Sequence, residues 1–275
     1  MPSAQCGQSV PFMTTSAQDT ELEIMLLVLR YAGAFFALWV VLAVLSRLVF
    51  LRFLPKSQDP RENSPLCVAQ HLGACVKCLF VVPVSNYVLY LMYFGGSWSD
   101  DALIRKAAIG ASAAGTIFVS FEVADVFVLL INRKLTAENI IHHSVHILIS
   151  CLIRLNCEFT PEAILTTAFL TAQETSSIFL NVYLLLRRRG MDNHLLMKGA
   201  FACFALCFYI WRLGIGTYCT YFYLTHTSSL PHYMPNWQVV LMSSGLLIGN
   251  VLQWYWGAFV IRKRLTQQLY AKRQD

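Results

Sequence analysis

Charge is what this chain has least of. Only 13% of its 275 residues are Asp, Glu, Lys or Arg, against about 25% in soluble domains. The deficit falls in long apolar blocks, which excludes an ordinary soluble domain and points to a multi-pass membrane protein. Basic residues are absent from the first 23 positions, which end acidic at Asp19, Glu21 and Glu23. That absence excludes a cleavable signal with a basic start and an arginine-rich presequence, so the first apolar block is expected to be an uncleaved anchor. Low-complexity linkers are lacking, and the short connections leave no room for a soluble domain. A second cysteine pair is lacking too. Cys75 and Cys78 form a CxxC inside an apolar block with nothing to complete a zinc set, so the nine cysteines read as small apolar packing residues.

Runs of roughly 20 apolar residues mark spans. The organisation expected is a polar tail over 1–23, a first span within 24–54, a six-span domain over 60–265 and a tail over 266–275. The six spans fall near 66–94, 107–131, 139–157, 161–186, 197–224 and 238–261. Basic residues test the count. With the N-terminus outside, inner segments hold Arg47, Arg52, Lys56, Arg61, Arg133, Lys134, Arg187–Arg189, Lys198, Arg262–Arg264, Lys272 and Arg273, while outer segments hold Arg105, Lys106 and Arg154. The +6 formal charge is therefore read as membrane orientation, with the C-terminus cytosolic, and not as nucleic-acid binding. Thr160 and Pro161 form a cap and first turn. The small residues of 107–115, with Gly245 and Gly249, allow close helix approach, and Pro83 is expected to kink its span.

Ionisable residues inside spans are costly, at about 2.5–3.5 kcal/mol each on insertion scales. Lys77, Glu122, Asp125, Glu174 and Arg212 are such residues, joined by His142, His143, His146, Asn181, Asn250 and Gln253. Topology brings all of them toward the cytosolic half of the bundle. Their spacings make stripes: Glu122/Asp125 and Asn250/Gln253 at i,i+3, His142/His146 at i,i+4, and Glu174, Ser177 and Asn181 along one face. Two readings follow, a structural hydrogen-bond network and a polar chamber open to the cytosol. Three histidines exceed what helix–helix hydrogen bonding requires.

Three chemistries suit those histidines. Acid–base or nucleophilic catalysis would use Asp125 or Glu174 to fix an imidazole, with Arg187–Arg189, Arg133 and Lys134 attracting phosphates such as those of coenzyme A. Metal binding would use His142 and His146 with a carboxylate; with only seven histidines in the chain, no resident metal is expected. A proton relay or transport path would use the same buried charges, although repeated halves are not apparent.

The order "EVAD" (122–125), "HHSVH" (142–146), "QETSSIFLN" (173–181), "YIWRLG" (209–214) and "NVLQWYW" (250–256) resembles the TLC-domain family, over about residues 65–265. The wording "ETSSIFLN" is closer to the small TLC domain-containing proteins than to the ceramide synthases. The resemblance implies a six-helix membrane barrel, usually in the endoplasmic reticulum, with a cytosol-facing cavity and a role in long-chain lipid composition. In ceramide synthases paired histidines serve acyl transfer from acyl-CoA, which would fall here to His142 and His143, with Asp125 and Glu174 orienting or charge-balancing them. His146, Glu122, Asn181, Arg212, Asn250 and Gln253 would line the cavity. No bound cofactor is expected. Expected partners are membrane lipid, acyl-CoA with an amine or hydroxyl acceptor, and a second copy of the chain. The alternative is a non-enzymatic lipid-binding or regulatory protein.

Overall fold

Caps in the sequence decide where several helices begin. Ser64 Oγ accepts from the Leu66 N–H and Pro65 takes the first helical position, opening α3 (Pro65–Phe94). Asp100 accepts from the N–H groups of Ala102 and Leu103 and opens α4 (Asp101–Ile131). In the computed structural model, residues 17–95, 100–157, 161–192, 194–226 and 235–263 are described, and among them no strand occurs.

Before α3 the chain forms α1 (Ala17–Leu45), a π-helical turn Ser46–Phe50 and a short α2 (Leu51–Phe53). After α4 come α5 (Ala137–Cys157), α6 (Pro161–Ala172) and α7 (Thr175–Arg187). A π-helical stretch, Phe208–Ile215, joins α8 (Leu195–Cys207) to α9 (Gly216–His226), and α10 (Asn236–Tyr255) runs into a second, Trp256–Ile261. The chain belongs to the all-α multi-pass class. Five helical passes are long and apolar enough to cross a membrane: Leu29–Phe53, Pro65–Phe94, Ala102–Ile131, Leu195–Thr225 and Asn236–Phe259. Of the other two spans expected from the sequence, α5 has 21 residues, or about 31 Å, and carries the three histidines. The remaining pass is broken. Residues 161–186 are not one helix, because the chain turns at Gln173–Glu174 between α6 and α7. Hydroxyls cause local competition there: Thr171, Thr175 and Ser176 bond back to carbonyls of their own turns. By contrast α3 remains helical through Pro83.

The passes form a ring. α3 packs on α4, α4 on α5, α5 on α10, α10 on α9, α8 on α7 and α7 on α3, while α1 lies outside against α3 and α4. Among the described side chains of α1, Trp39 alone is fully buried. It is 1% exposed, meets the Phe121 ring at 5.3 Å, and lies where a Cβ on Gly73 would come within 2.5 Å of its Nε1. Among the small residues, Ala107, Ala108, Ala111 and Ala114 are buried, and a Cβ on Gly110 would stand 2.7 Å from Val88. Gly245 faces Ile149 closely, whereas Gly249 meets nothing within 4 Å, so close approach holds at the first of that pair alone. Large apolar residues such as Leu79, Phe80, Ile109, Val240 and Val251 point outward, as a membrane-facing surface requires.

Packing is uneven along the ring axis. α6 touches α3, α4, α5 and α9 and fills one end, where Ile164, Leu165 and Ala168 are wholly buried. α7 packs chiefly on α3 and α8, leaving space inside the other half. The basic segments gather at that roomier end: Arg189 bonds to the carbonyls of Pro55 and Glu62, Lys134 reaches Glu62, and Leu54, Met191 and Ile261 share one apolar cluster. The expected cap Thr160, His232, most of the polar N-terminal tail and the tail after 263 lie outside the described residues, as do the side chains of Cys6, Cys151, Cys157, Arg154 and His226.

Candidate functional site

The five costly residues of the spans are buried, and each has a partner. Lys77, from the middle of α3, places Nζ 2.5 Å from Glu174 Oε2 and 3.5 Å from Glu122 Oε1. The same ammonium lies over the faces of Phe118 and Phe121, 5.0 and 4.6 Å from their centroids. Glu174 sits at the break before α7, and its second oxygen receives Arg212 at 3.2 Å. The Arg212 guanidinium also donates to Ser176 Oγ and Ser177 Oγ, both at 2.8 Å. Two cations thus balance two carboxylates, and the pairing offsets the insertion cost that each would carry alone.

His143 completes the network. Its Nδ1 meets Glu122 Oε2, and its Nε2 lies 3.4 Å from Asp125 Oδ2. Asp125 is held in turn by Gln70 Nε2 at 3.1 Å. Both ring nitrogens of His143 therefore face carboxylates of α4, which fixes the ring's direction. Glu174 touches neither histidine of the pair; it is one ion pair further along, through Lys77 and Glu122. The orienting carboxylates are Glu122 and Asp125.

His142 differs. It is half-buried, and among the described residues it meets only rings: His146 at 4.1 Å, His143 at 5.7 Å and Trp256 at 5.8 Å between centroids. His142 and His143 line a cavity of about 630 Å³ with Lys77, Glu122, Asp125, Glu174, Ser177, Asn181 and Arg212. The cavity extends to the basic end, where Asp59, Glu62, Arg133, Lys134 and Arg188 line it. An apolar slot of about 310 Å³ adjoins it, walled by Tyr183, Phe201, Phe204, Phe208 and Ile261. Leu180, Leu184, Arg212 and Trp256 border both spaces.

Three residues expected in the chamber are elsewhere. His146, Asn250 and Gln253 line a separate void of about 30 Å³ with Gln173 and Arg212, the size of one water molecule. His146 Nδ1 and Gln253 Oε1 have no protein partner there, and Asn250 pairs with Thr217 at 3.2 Å. Direction around α10 turns Asn250 and Gln253 toward this void, and depth separates His146. His146 is one turn beyond His142, at the level where the end of α6 closes the ring.

Other groups escaped the sequence reading. His71 donates from Nδ1 to Asn181 Oδ1 at 2.9 Å, because its Nε2 accepts from Arg188 at 3.2 Å. Glu62 binds Lys134 at 2.6 Å and Arg188 at 3.2 Å, and accepts from the Cys67 thiol at 2.9 Å. A Cys-x-x-x-His spacing on α3 was the available signal. The donor atoms of Glu62, Cys67 and His71 lie within 4.8 Å of one another, the one metal-compatible group among the described residues. Lys134 and Arg188 already occupy those donors, and two cations there oppose a third. The basic rim foreseen as attracting phosphate is thus partly neutralised by Glu62. Burial alone would raise the Glu62 pKa; hydrogen bonds from Cys67 and Lys134 and the charges of Arg188 and Lys134 outweigh it and hold the carboxyl below its usual range.

A family model of the TLC domain matches residues 69–262. No curated protein and no solved structure matches the chain.

Proposed function

The chain belongs to the TLC-domain family, and from that premise we propose that this integral membrane protein takes up a long-chain lipid and transfers an acyl group to or from it. The observation that carries the reading is the junction of two spaces. A polar chamber containing a histidine pair and an apolar slot share the wall formed by Leu180, Leu184, Arg212 and Trp256, an arrangement suited to an amphiphile with a polar head and a long tail. The basic end faces the cytosol by the positive-inside rule, so the head enters from that side. The endoplasmic reticulum is the compartment that family resemblance supports.

His142 acts as the base. Among the described residues its nitrogens accept no hydrogen bond, and its ring borders the chamber. It takes a proton from an amine or hydroxyl acceptor as that atom attacks the thioester carbonyl of acyl-CoA. The new C–N or C–O bond forms, the C–S bond breaks, and the proton passes to the departing thiolate. His143, gripped by Glu122 and Asp125, is a positioning residue for His142. Arg212, tied to Glu174 and two serines, marks the head–tail boundary.

Purified protein supplied with labelled acyl-CoA and candidate acceptors tests this. His142→Ala should abolish product that wild type forms; equal product from both refutes the catalytic role. A second reading, lipid binding without chemistry, draws on the mutual pairing of all the deep charges. It predicts no product from wild type, and a co-purifying lipid that His142→Ala or Leu184→Trp loses.

A further inference from the structure

One carboxylate joins two cations at the mouth of the chamber. Glu62 stands in the short segment between α2 and α3, and its side chain is 12% exposed although it lies among loops. Lys134 reaches it from the α4–α5 turn at 2.6 Å and Arg188 from the end of α7 at 3.2 Å. These two cations come from parts of the chain 54 positions apart, and Glu62 is what joins them. Arg133 lines the same mouth. Its φ is +53°, a left-handed backbone that a non-glycine residue adopts at a cost, and among the described residues its exposed guanidinium has no partner.

Such a set has more positive charge than Glu62 can satisfy. Two cations contact this one carboxylate of unit charge, and a third, Arg133, lines the mouth without reaching it, with Asp59 as a further acid on that part of the lining. A phosphate ester carries a charge of about −1.5 to −2 and three acceptor oxygens, and Arg binds phosphate and carboxylate with the same fork of N–H donors. We propose that Lys134, Arg188 and Arg133 form the receptor for a phosphate group on the ligand's head, and that Glu62 fills it as an internal competitor until that group arrives.

The exchange requires no unfolding of the mouth. Arg189 ties this segment by backbone alone, donating to the carbonyls of Pro55 and Glu62 at 2.9 and 3.0 Å. Asn63 clasps Ser57 in both directions, through its Oδ1 and its Nδ2. The Glu62 side chain therefore swings while its backbone stays anchored. Behind it lie His71 and then Asn181, and beside His71 lies Gln70, which holds Asp125. A head bound at the mouth thus adjoins the polar chain leading to His143. The proposal rests on the reading that an amphiphile occupies the chamber, and adds that its head is phosphorylated.

The test measures binding, not turnover. Detergent-purified protein is titrated with coenzyme A and with inorganic pyrophosphate. In parallel, nanodiscs of phosphatidylcholine with and without phosphatidic acid are compared for protection of the 54–64 segment from hydrogen exchange. Glu62→Gln should tighten binding of the phosphorylated probe by about tenfold, Arg188→Gln should weaken it by about as much, and Arg133→Gln should weaken it several-fold. Response to coenzyme A alone assigns the phosphate to a soluble carrier; response to phosphatidic acid alone assigns it to a lipid. If Glu62→Gln binds no more tightly than wild type, or Arg133→Gln binds equally well, the proposal is overturned. Arg133 makes no contact that folding needs, so that variant carries the test should Glu62→Gln not fold. A protein that binds the probe yet transfers no acyl group refutes the transfer reading and leaves this one standing.

Discussion

Replacing Glu174 by Gln changes one atom and removes the charge on which two buried cations depend. Lys77 loses a carboxylate at 2.5 Å and Arg212 loses one at 3.2 Å. What remains is Glu122, 3.5 Å from Lys77 and already engaged by His143. Breaking a buried pair by removing one member costs about 3–5 kcal/mol, because the partner is left charged and unmatched. Here two partners are left, which places Glu174→Gln at the upper end, about 5 kcal/mol. For a chain of this size that corresponds to a drop of about 10–20 °C in melting temperature. Tryptophan fluorescence during heating in detergent reads it directly, since Trp39 and Trp256 sit at the bundle interior and the chamber wall. The double variant Lys77→Met/Glu174→Gln removes one charge of each sign, leaving Glu122 and Asp125 on His143 and Arg212 on its two serines, and should recover part of the loss. A Glu174→Gln shift of less than about 2 °C would refute the claim that this carboxylate bridges two cations. So would a double variant whose loss equals or exceeds the sum of the single losses.

Three further outcomes follow from the geometry. Gly73→Ala should cost about 1–3 kcal/mol by forcing Trp39 aside, seen as a red-shifted emission of that buried tryptophan in a variant whose other tryptophans are phenylalanine. Leu184→Trp, at the wall shared by chamber and slot, should exclude long-tailed lipids while sparing short-chain analogues, read by mass spectrometry of co-purified lipid. The mouth should respond to acid in one direction. Because the Glu62 carboxyl is held below its ordinary 4.5, its contribution is complete above that value and is lost as pH falls below it. Hydrogen exchange of the 54–64 segment, corrected for intrinsic rate, should be flat from about pH 5 to 8 and rise only under more acid conditions.

How far the sequence could be read depended on contrast. Lys77, Glu122, Asp125, Glu174 and Arg212 stand out because their neighbours are apolar, and insertion cost alone requires them to meet. They do meet. Glu62 lies in a polar stretch where one more acid attracts no notice, and its grip on Lys134 and Arg188 is a long-range fact that no local pattern encodes. Depth estimates had the same blind spot. They put Asn250 and Gln253 at the level of the chamber, but rise along a helix says nothing of direction around it, and the two face a neighbouring void. The turn at Gln173–Glu174 was hidden because apolar residues continue on both sides of it, and hydroxyls that bond back to their own helix look like ordinary polar residues until seen folded.

Apart from the Ser46–Phe50 turn after α1, the irregular helix within the ring is concentrated around one point. The π-helical stretch Phe208–Ile215 brings in Arg212, the stretch Trp256–Ile261 brings in Trp256, and the break before α7 presents Glu174 to Arg212. The two π-helical stretches touch: Tyr209 donates to the Gly257 carbonyl at 2.9 Å, and a Cβ on Gly257 would fall 2.7 Å from Leu213. Each departure weakens a hydrogen-bond ladder and has an energetic cost. Regular helices meshed ridge into groove would close this space; widened turns on two adjoining passes hold it open while keeping the walls helical. A structural network alone would gain nothing from that, since Lys77, Glu122 and Glu174 could pair between straight helices. The irregularities are instead placed at Arg212 and Trp256, two of the four residues that border chamber and slot alike. Local departures from good helix design mark sites under functional demand, and this one lies at the wall between the polar chamber and the apolar slot.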